Sequence, residues 1–588
     1  MLAGIPLFFR HRRRREQSEA RLKTRNEALQ SIEGTLFDVC VIGGGATGAA
    51  CALDAQLRGL KTVLLDARDF AGATSSASTK LIHGGVRYLE EAVRNCDPAQ
   101  YRLVKRALRE RRLMLKNGPY LSRVMELLVP CSGWKDAAYY DAGLKVYDWL
   151  SGPANLTPSH FLSRQETIRK LPALNSEKLV GSVIFSDGQF DDARYNIALI
   201  LTHAEAGGEA LNYARVIAFE KDAVGNLVAT EAEDQFTHRK FKVRARAFIN
   251  ATGPFSDVVR ALANPAALPR IRRSKGVHIL LPLDVMPGAA ALLIPKTDDG
   301  RVLFALPWMG RLLVGTTDTE VSAADEPYVT KEEVEYLLRH LNRYLVHPVA
   351  PEQIVSGTAG IRPLVSAPSD DALDHRDTKN LARDDVLEQF PQTGQVSPTN
   401  FISVMGGKWT THRAMAEDAV NAVQQYLLGS VTPCLTQEHP LVGSEGYAPE
   451  FWQSLQKNYN LPEQTARHLT AKFGTTAFKV LALIDEDPAL ASPVLPDLAP
   501  LAAEVVYCAR NEMAVTIEDI LFRRLGIQLY SWRSAIHAAS VVASLLAREL
   551  RWSPEFTGSS IHDYVHTINR YLESAGLKPE PPPSSSLD

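Results

Sequence analysis

Cysteine is scarce: six in 588 residues (Cys40, Cys51, Cys96, Cys131, Cys434 and Cys508), none spaced C-x-x-C. That excludes a disulfide-held scaffold and the usual zinc and dithiol patterns, and it suits a reducing compartment. The histidines are scattered with no H-E-x-x-H, so no metal site is expected. No apolar run reaches 18 residues, so no bilayer-spanning helix is expected. Neither charge sign dominates: 65 Lys/Arg stand against 67 Asp/Glu, a net −2, which argues against a general nucleic-acid binder. At 45% hydrophobic and 22% charged the chain is neither disordered nor a coiled coil. Its length allows about three to five domains, or one large enzyme with an appendage. The Gly406–Thr410 segment GGKWT is not a P-loop, because Trp409 stands where Ser or Thr is required.

The charge that is present is uneven. Residues 1–125 hold 22 Lys/Arg and 12 Asp/Glu, which leaves −12 for the remainder and points to an anionic surface or ligand near the N-terminal part. An apolar MLAGIPLFF precedes HRRRR, and the first acid is Glu16. Arg-rich and acid-poor, residues 1–34 read as a mitochondrial targeting or anchoring segment; the alternative is a solvated basic tail or an extended first helix. A basic amphipathic helix is expected over 101–123. It is either a surface helix packed on a sheet or a patch drawn to anionic lipid.

One motif carries chemistry on its own spacing. Phe37–Ile42 is a short apolar strand, and Gly43-x-Gly45-x-x-Gly48 follows it and opens a helix. Asp66 ends the next strand, 18 residues past Gly48. Gly43 permits the tight turn, Gly45 lets a pyrophosphate approach the backbone, and Gly48 lets helix and strand pack closely. The helix start favours the anion. Asp66 is placed to accept hydrogen bonds from a ribose diol. Two later segments favour FAD over NAD. Asn250-Ala251-Thr252-Gly253-Pro254 follows an apolar strand, as in flavoproteins with a second small-residue turn. Gly406-Gly407 precedes another helix start, which can stabilise negative charge on a reduced flavin.

Thr74–Glu90 reads TSSASTKLIHGGVRYLE, and GRVLFALPWMGRLLVGTTDTE (300–320), SGTAGIRPL (356–364) and VMGGKWTTHR (404–413) follow in order. With these motifs the chain resembles the FAD-dependent glycerol-3-phosphate dehydrogenases, a family of D-amino-acid-oxidase-like flavoproteins. The expected fold is α/β with an α+β insert: a Rossmann-like FAD-binding domain (35–125, 186–265, 356–428), an antiparallel-sheet substrate or cap domain (126–185, 266–355) and a helical C-terminal domain (429–577), with a disordered tail at 578–588. The resemblance implies oxidation of sn-glycerol 3-phosphate to dihydroxyacetone phosphate, with FAD taking the hydride and a membrane quinone taking the electrons. It also implies peripheral contact with the mitochondrial inner membrane, or with a bacterial cytoplasmic membrane, and it admits a homodimer. Animal mitochondrial relatives carry EF-hands; no D-x-[DN]-x-[DN]-G loop occurs here. An oxidase that passes electrons to O2 and an inactive flavin-binding scaffold are the rival readings.

The resemblance also nominates residues. Arg87 and Tyr88, after Gly84-Gly85, and Arg376 are expected to hold the phosphate, since an arginine fork suits phosphate oxygens. His278 is expected to be the general base, because an ordinary imidazole titrates near neutral pH. Arg362 and Lys408 are expected to stabilise the developing alkoxide or help take its proton. Ser75, Ser76, Ser78, Lys80, Leu81, His83 and Gly84 match the flavin-contacting loop, some of the serines serving only as helix caps. Thr317 and Asp318 are expected to orient flavin or substrate indirectly, and Asp191-Asp192 to cap the following helix.

Overall fold

The computed structural model describes residues 21–85, 98–322, 327–366, 385–389 and 399–581. Two sheets organise it. In the first, Leu36–Ile42 lies parallel between Lys240–Asn250 and Thr62–Leu65. Glu209–Leu211 extends one side, and Phe401–Gly406 and then Asp385–Gln389 extend the other. Leu36–Ile42 is buried at every position but Leu36 and Asp38, as expected of a strand covered on both faces. Helices Ala46–Leu57, Asp192–Glu205 and His412–Leu428 cover the sheet. Ala214–Lys221 and Leu227–Asp234 add an antiparallel meander onto Lys240–Asn250.

The second sheet is almost wholly antiparallel. Ile271–Pro282 is flanked on one side by Ser356–Val365 and on the other by Arg311–Gly315 and Thr319–Glu320. The Leu303–Trp308/Arg311–Gly315 hairpin turns at Met309 (φ 47°) and Gly310 (φ 73°). Two left-handed residues give the turn whose twist suits the strands it joins. Ser122–Cys131 and Gly181–Phe190 complete the sheet's other half. Ser356–Val365 belongs here through a ten-residue ladder, so the return to the first sheet comes after Val365 rather than at 356. The C-terminal part is helical, and its core is continuous with the second sheet through Trp532, Leu469 and Val542.

Three expectations are corrected. Residues 21–34 are part of the fold: Thr24 caps the helix Arg25–Glu33, which buries Ala28, Leu29 and Ile32, and Arg25 pairs with Asp234 at 2.7 Å. The basic helix runs Pro98–Asn117, not 101–123, because Gly118-Pro119 ends it and a strand begins at Ser122. The start of the tail packs on the fold: the Glu580 N–H donates to Asn569 Oδ1 at 2.8 Å, and Glu580 pairs with Arg533. Residues 1–20 and 582–588 lie outside the described residues.

Candidate active site

The glycine turn behaves as its spacing requires. Gly43 has φ +105°, and a Cβ there would lie 2.6 Å from the Ala251 carbonyl oxygen. A Cβ on Gly48 would lie 1.8 Å from the Gly43 carbonyl oxygen, so any side chain would push helix Ala46–Leu57 off its strand. Gly43, Gly45, Asp66, Ser75, Thr252 and Gly253 line a cavity of about 400 Å3, whose far wall is Gly406-Gly407-Lys408-Trp409. Asp66 Oδ2 accepts the Gly44 N–H and Oδ1 accepts the Arg68 N–H. Burial pushes its carboxyl up to about 6, against two backbone donors that favour the charged form. On the opposite wall Asn250 Oδ1 accepts from Thr252 Oγ1 at 2.7 Å, which fixes the second small-residue turn.

The loop 74–80 joins this cavity to the second sheet. Ser75 Oγ accepts the Ala46 N–H at 3.0 Å, at the start of the first helix, and its carbonyl accepts Trp409 Nε1 at 2.9 Å. Thr74 Oγ1 donates to the Ile361 carbonyl at 2.6 Å. Thr79 Oγ1 lies 2.9 Å from His278 Nε2. One short segment therefore holds the glycine turn, the 406–409 wall and two strands of the second sheet.

His278 is only 2% exposed, and among the described residues its Nδ1 has no hydrogen-bond partner. Burial, and then the charges of Arg362 and Lys80, push its pKa down to about 3. The imidazole is therefore neutral at physiological pH, and far less basic than its ordinary value suggested. Arg362 Nη2 donates to Thr316 Oγ1 at 2.9 Å and to the Thr317 carbonyl at 3.1 Å, and Nη1 lies 3.6 Å from Asp318. Asp318 also accepts from Ser274 Oγ, and Thr317 Oγ1 accepts the Val277 N–H at 3.1 Å. Both thus brace the strand and the arginine.

The nominated loop residues divide. Ser75 lines the cavity, but Ser76 Oγ turns inward to the Ala71 carbonyl at 2.9 Å. Ser78 and Lys80 both bind Asp192, and Lys80 Nζ also donates to the Ser76 carbonyl at 2.7 Å. Leu81 is a core residue, the His83 N–H donates to Thr410 Oγ1 at 3.3 Å, and the Gly84 N–H donates to Tyr147 Oη at 2.8 Å. Asp191 caps the helix Asp192–Glu205 and pairs with Lys472, whereas Asp192 is the hub of the 78–80 segment rather than a cap. Arg87, Tyr88 and Arg376 lie outside the described residues.

Sequence reasoning missed Thr79, Asp192 and Trp409 as site-builders. It also missed a buried ion network behind the cavity. Asp69, three residues past Asp66, accepts from Arg523 Nε (2.7 Å), Arg524 Nη1 (2.8 Å) and Asn212 Nδ2 (3.0 Å). Arg524 reaches on to Glu512, which Arg194 grips with both Nη atoms at 2.6 and 2.9 Å. The C-terminal part thereby holds the loop that carries Asp66. No periodicity signals such long-range pairs; only the acid and arginine runs hint at them.

Residues 38–420 match the family described as FAD dependent oxidoreductase, and residues 434–556 match the C-terminal domain of alpha-glycerophosphate oxidase. The chain is 37% identical over 541 residues to the human mitochondrial glycerol-3-phosphate dehydrogenase, covering 90% of this chain and 73% of that protein. It is 35% identical over 553 residues to a probable glycerol-3-phosphate dehydrogenase of Encephalitozoon cuniculi, covering 93% and 87%. Among solved structures, the glycerol-3-phosphate dehydrogenase of Bacillus halodurans complexed with FAD superposes with a TM-score of 0.75 at 27% identity, covering 94% of this chain and 98% of that one.

Proposed function

This chain belongs to the FAD-dependent glycerol-3-phosphate dehydrogenase family, and from that premise we propose that it oxidises sn-glycerol 3-phosphate to dihydroxyacetone phosphate and passes the electrons to a membrane quinone. FAD is its cofactor. The residues present fit it: the Gly43 turn leaves no room for a side chain, a helix start faces the cavity, and Asp66, whose carboxylate could accept from a ribose diol, lines it. Gly43, Gly45, Asp66, Thr252, Gly253, Gly406 and Gly407 would hold it, and when bound it accepts a hydride.

The observation that carries the reading is the loop 74–80, which ties the glycine turn to His278 through Thr79. A secondary alcohol loses a hydride from C2 and a proton from its hydroxyl. His278 takes the proton. Its low basicity comes from burial and from the cations Arg362 and Lys80, and a bound phosphate dianion offsets those cations and raises it. Arg362 and Lys408 hold the oxygen as charge develops on it. Arg87, Tyr88 and Arg376 hold the phosphate. The mitochondrial names of the relatives support the mitochondrion as its place, and a quinone acceptor would put it at the inner membrane. We read its contact with the membrane as peripheral; among the described residues no helix is long and apolar enough to cross a membrane.

A second reading has one observation in its favour: the match of 434–556 to an oxidase C-terminal domain suggests O2 as acceptor. Stopped-flow mixing separates the two. Enzyme is first reduced with glycerol 3-phosphate without oxygen, then mixed with a short-chain quinone or with air. Fast reoxidation by quinone and slow reoxidation by air support the dehydrogenase; the reverse order supports the oxidase.

A further inference from the structure

Helix Trp134–Ser151 buries Ala137, Leu144, Tyr147 and Leu150 on one face. Its other face is unusually apolar for one turned to solvent. Trp149 is 74% exposed, Trp134 69% and Tyr139 56%. At helical spacing Trp134, Ala138, Ala142, Val146 and Trp149 form one exposed stripe, with Tyr139 beside it. The charges within that arc are Lys135, which is exposed, and Lys145, whose ammonium donates to the Ser159 carbonyl. The helix's carboxylates sit at the margins. Asp136 accepts from Ser132 Oγ, Asp148 holds both the N–H and the hydroxyl of Ser159, and Asp141 is half-buried.

Helix Pro98–Asn117 packs beside it. Arg102, Lys105, Arg109, Arg112 and Lys116 are exposed on that helix at three- and four-residue spacing. Lys116 pairs with Glu438, and the half-buried Arg106 with Asp418. Among the described residues Arg102, Lys105 and Arg112 have no carboxylate partner. Arg112 donates to the Pro153 carbonyl, just past the helix end that carries Trp149, so the cationic face borders the aromatic stripe.

Indole rings at both ends of an apolar stripe suit the headgroup level of a bilayer, and bordering cations suit an anionic one. A second copy of this chain fits less well, because a two-fold contact would bring the same cations face to face. We propose that these two helices are the face on which the enzyme docks to an anionic lipid bilayer. The proposal rests on the membrane-quinone reading above and gives it a surface.

The test uses the full-length holoenzyme and vesicles of phosphatidylcholine with and without phosphatidylglycerol. Wild type should sediment with the anionic vesicles, and its tryptophan emission should shift to the blue. The variant W134S/W149S should bind them at least about tenfold more weakly. The variant R102E/K105E should lose the preference for anionic vesicles and its salt dependence. Both variants should still be bleached by glycerol 3-phosphate and turn over a soluble short-chain quinone at the wild-type rate, but work more slowly on quinone held in vesicles. Vesicle binding by W134S/W149S equal to wild type would overturn the proposal. So would a fall in solution mass in that variant, which would make the stripe a contact between copies. Wild type that docks on vesicles yet is not bleached would refute the enzymatic reading instead.

Discussion

Thr79 Oγ1 lies 2.9 Å from His278 Nε2, and this contact couples the loop on the glycine turn to a strand flanked on both sides in the second sheet. Nδ1 has no partner among the described residues. His278→Ala should slow flavin reduction by about 10²–10⁴-fold if the imidazole takes the hydroxyl proton. Thr79→Val, which only removes the hydrogen bond, should cost less and should displace the pH profile of reduction. Unchanged reduction in His278→Ala assigns the proton to another group.

Arg362 spends one nitrogen on Thr316 Oγ1 and the Thr317 carbonyl, which aims its planar head. A lysine carries the charge but not the fork. Arg362→Lys should therefore reduce the rate of hydride transfer at saturating substrate, and Arg362→Met should reduce it further. Rapid-mixing kinetics report this directly; a change confined to KM would make Arg362 a simple phosphate binder.

Asp69 is a carboxylate that Arg523 and Arg524 share beneath the cofactor loop. Breaking a buried ion pair by removing one partner costs about 3–5 kcal/mol. Asp69→Asn should lower the melting midpoint of the apoprotein and weaken FAD retention on dialysis, since the Asp66–Ala71 loop loses its brace. A variant that melts and holds FAD like wild type would show the network to be dispensable.

The buried imidazoles of His203, His278 and His412 should make the fold acid-sensitive. Burial holds His203 down to about 4, and His278 and His412 down to about 3. Above pH 6.5 they are neutral whether the chain is folded or not, and the folded state keeps its full advantage. As pH falls below that, the unfolded chain takes up protons that the folded chain refuses, so stability declines toward pH 4. Denaturant midpoints at pH 7.5 and 5 should differ in that direction. Equal midpoints would mean that these rings are not held neutral.

What was legible in the sequence was local. Gly43, Gly45 and Gly48 stand between an apolar strand and a helix, so period and turn chemistry agree, and the structure places them as expected. The 303–315 hairpin was legible for the same reason. What escaped depends on which way a side chain turns in three dimensions. Nothing local tells Asp191 from Asp192, yet one caps a helix and the other anchors Lys80. The helix expected to run to 123 stops at Asn117, because Gly118-Pro119 breaks it and the chain turns into a strand at Ser122. The Asp69–Arg523 pairing spans 454 residues and leaves no periodic trace.

Titrating the purified yellow protein with sn-glycerol 3-phosphate under argon, while watching the absorbance band of the oxidised flavin, reads the proposed reaction itself. Bleaching by one equivalent, with dihydroxyacetone phosphate formed in equal amount, is the predicted result. A band that stays at full height with glycerol 3-phosphate but falls with dithionite would contradict the account.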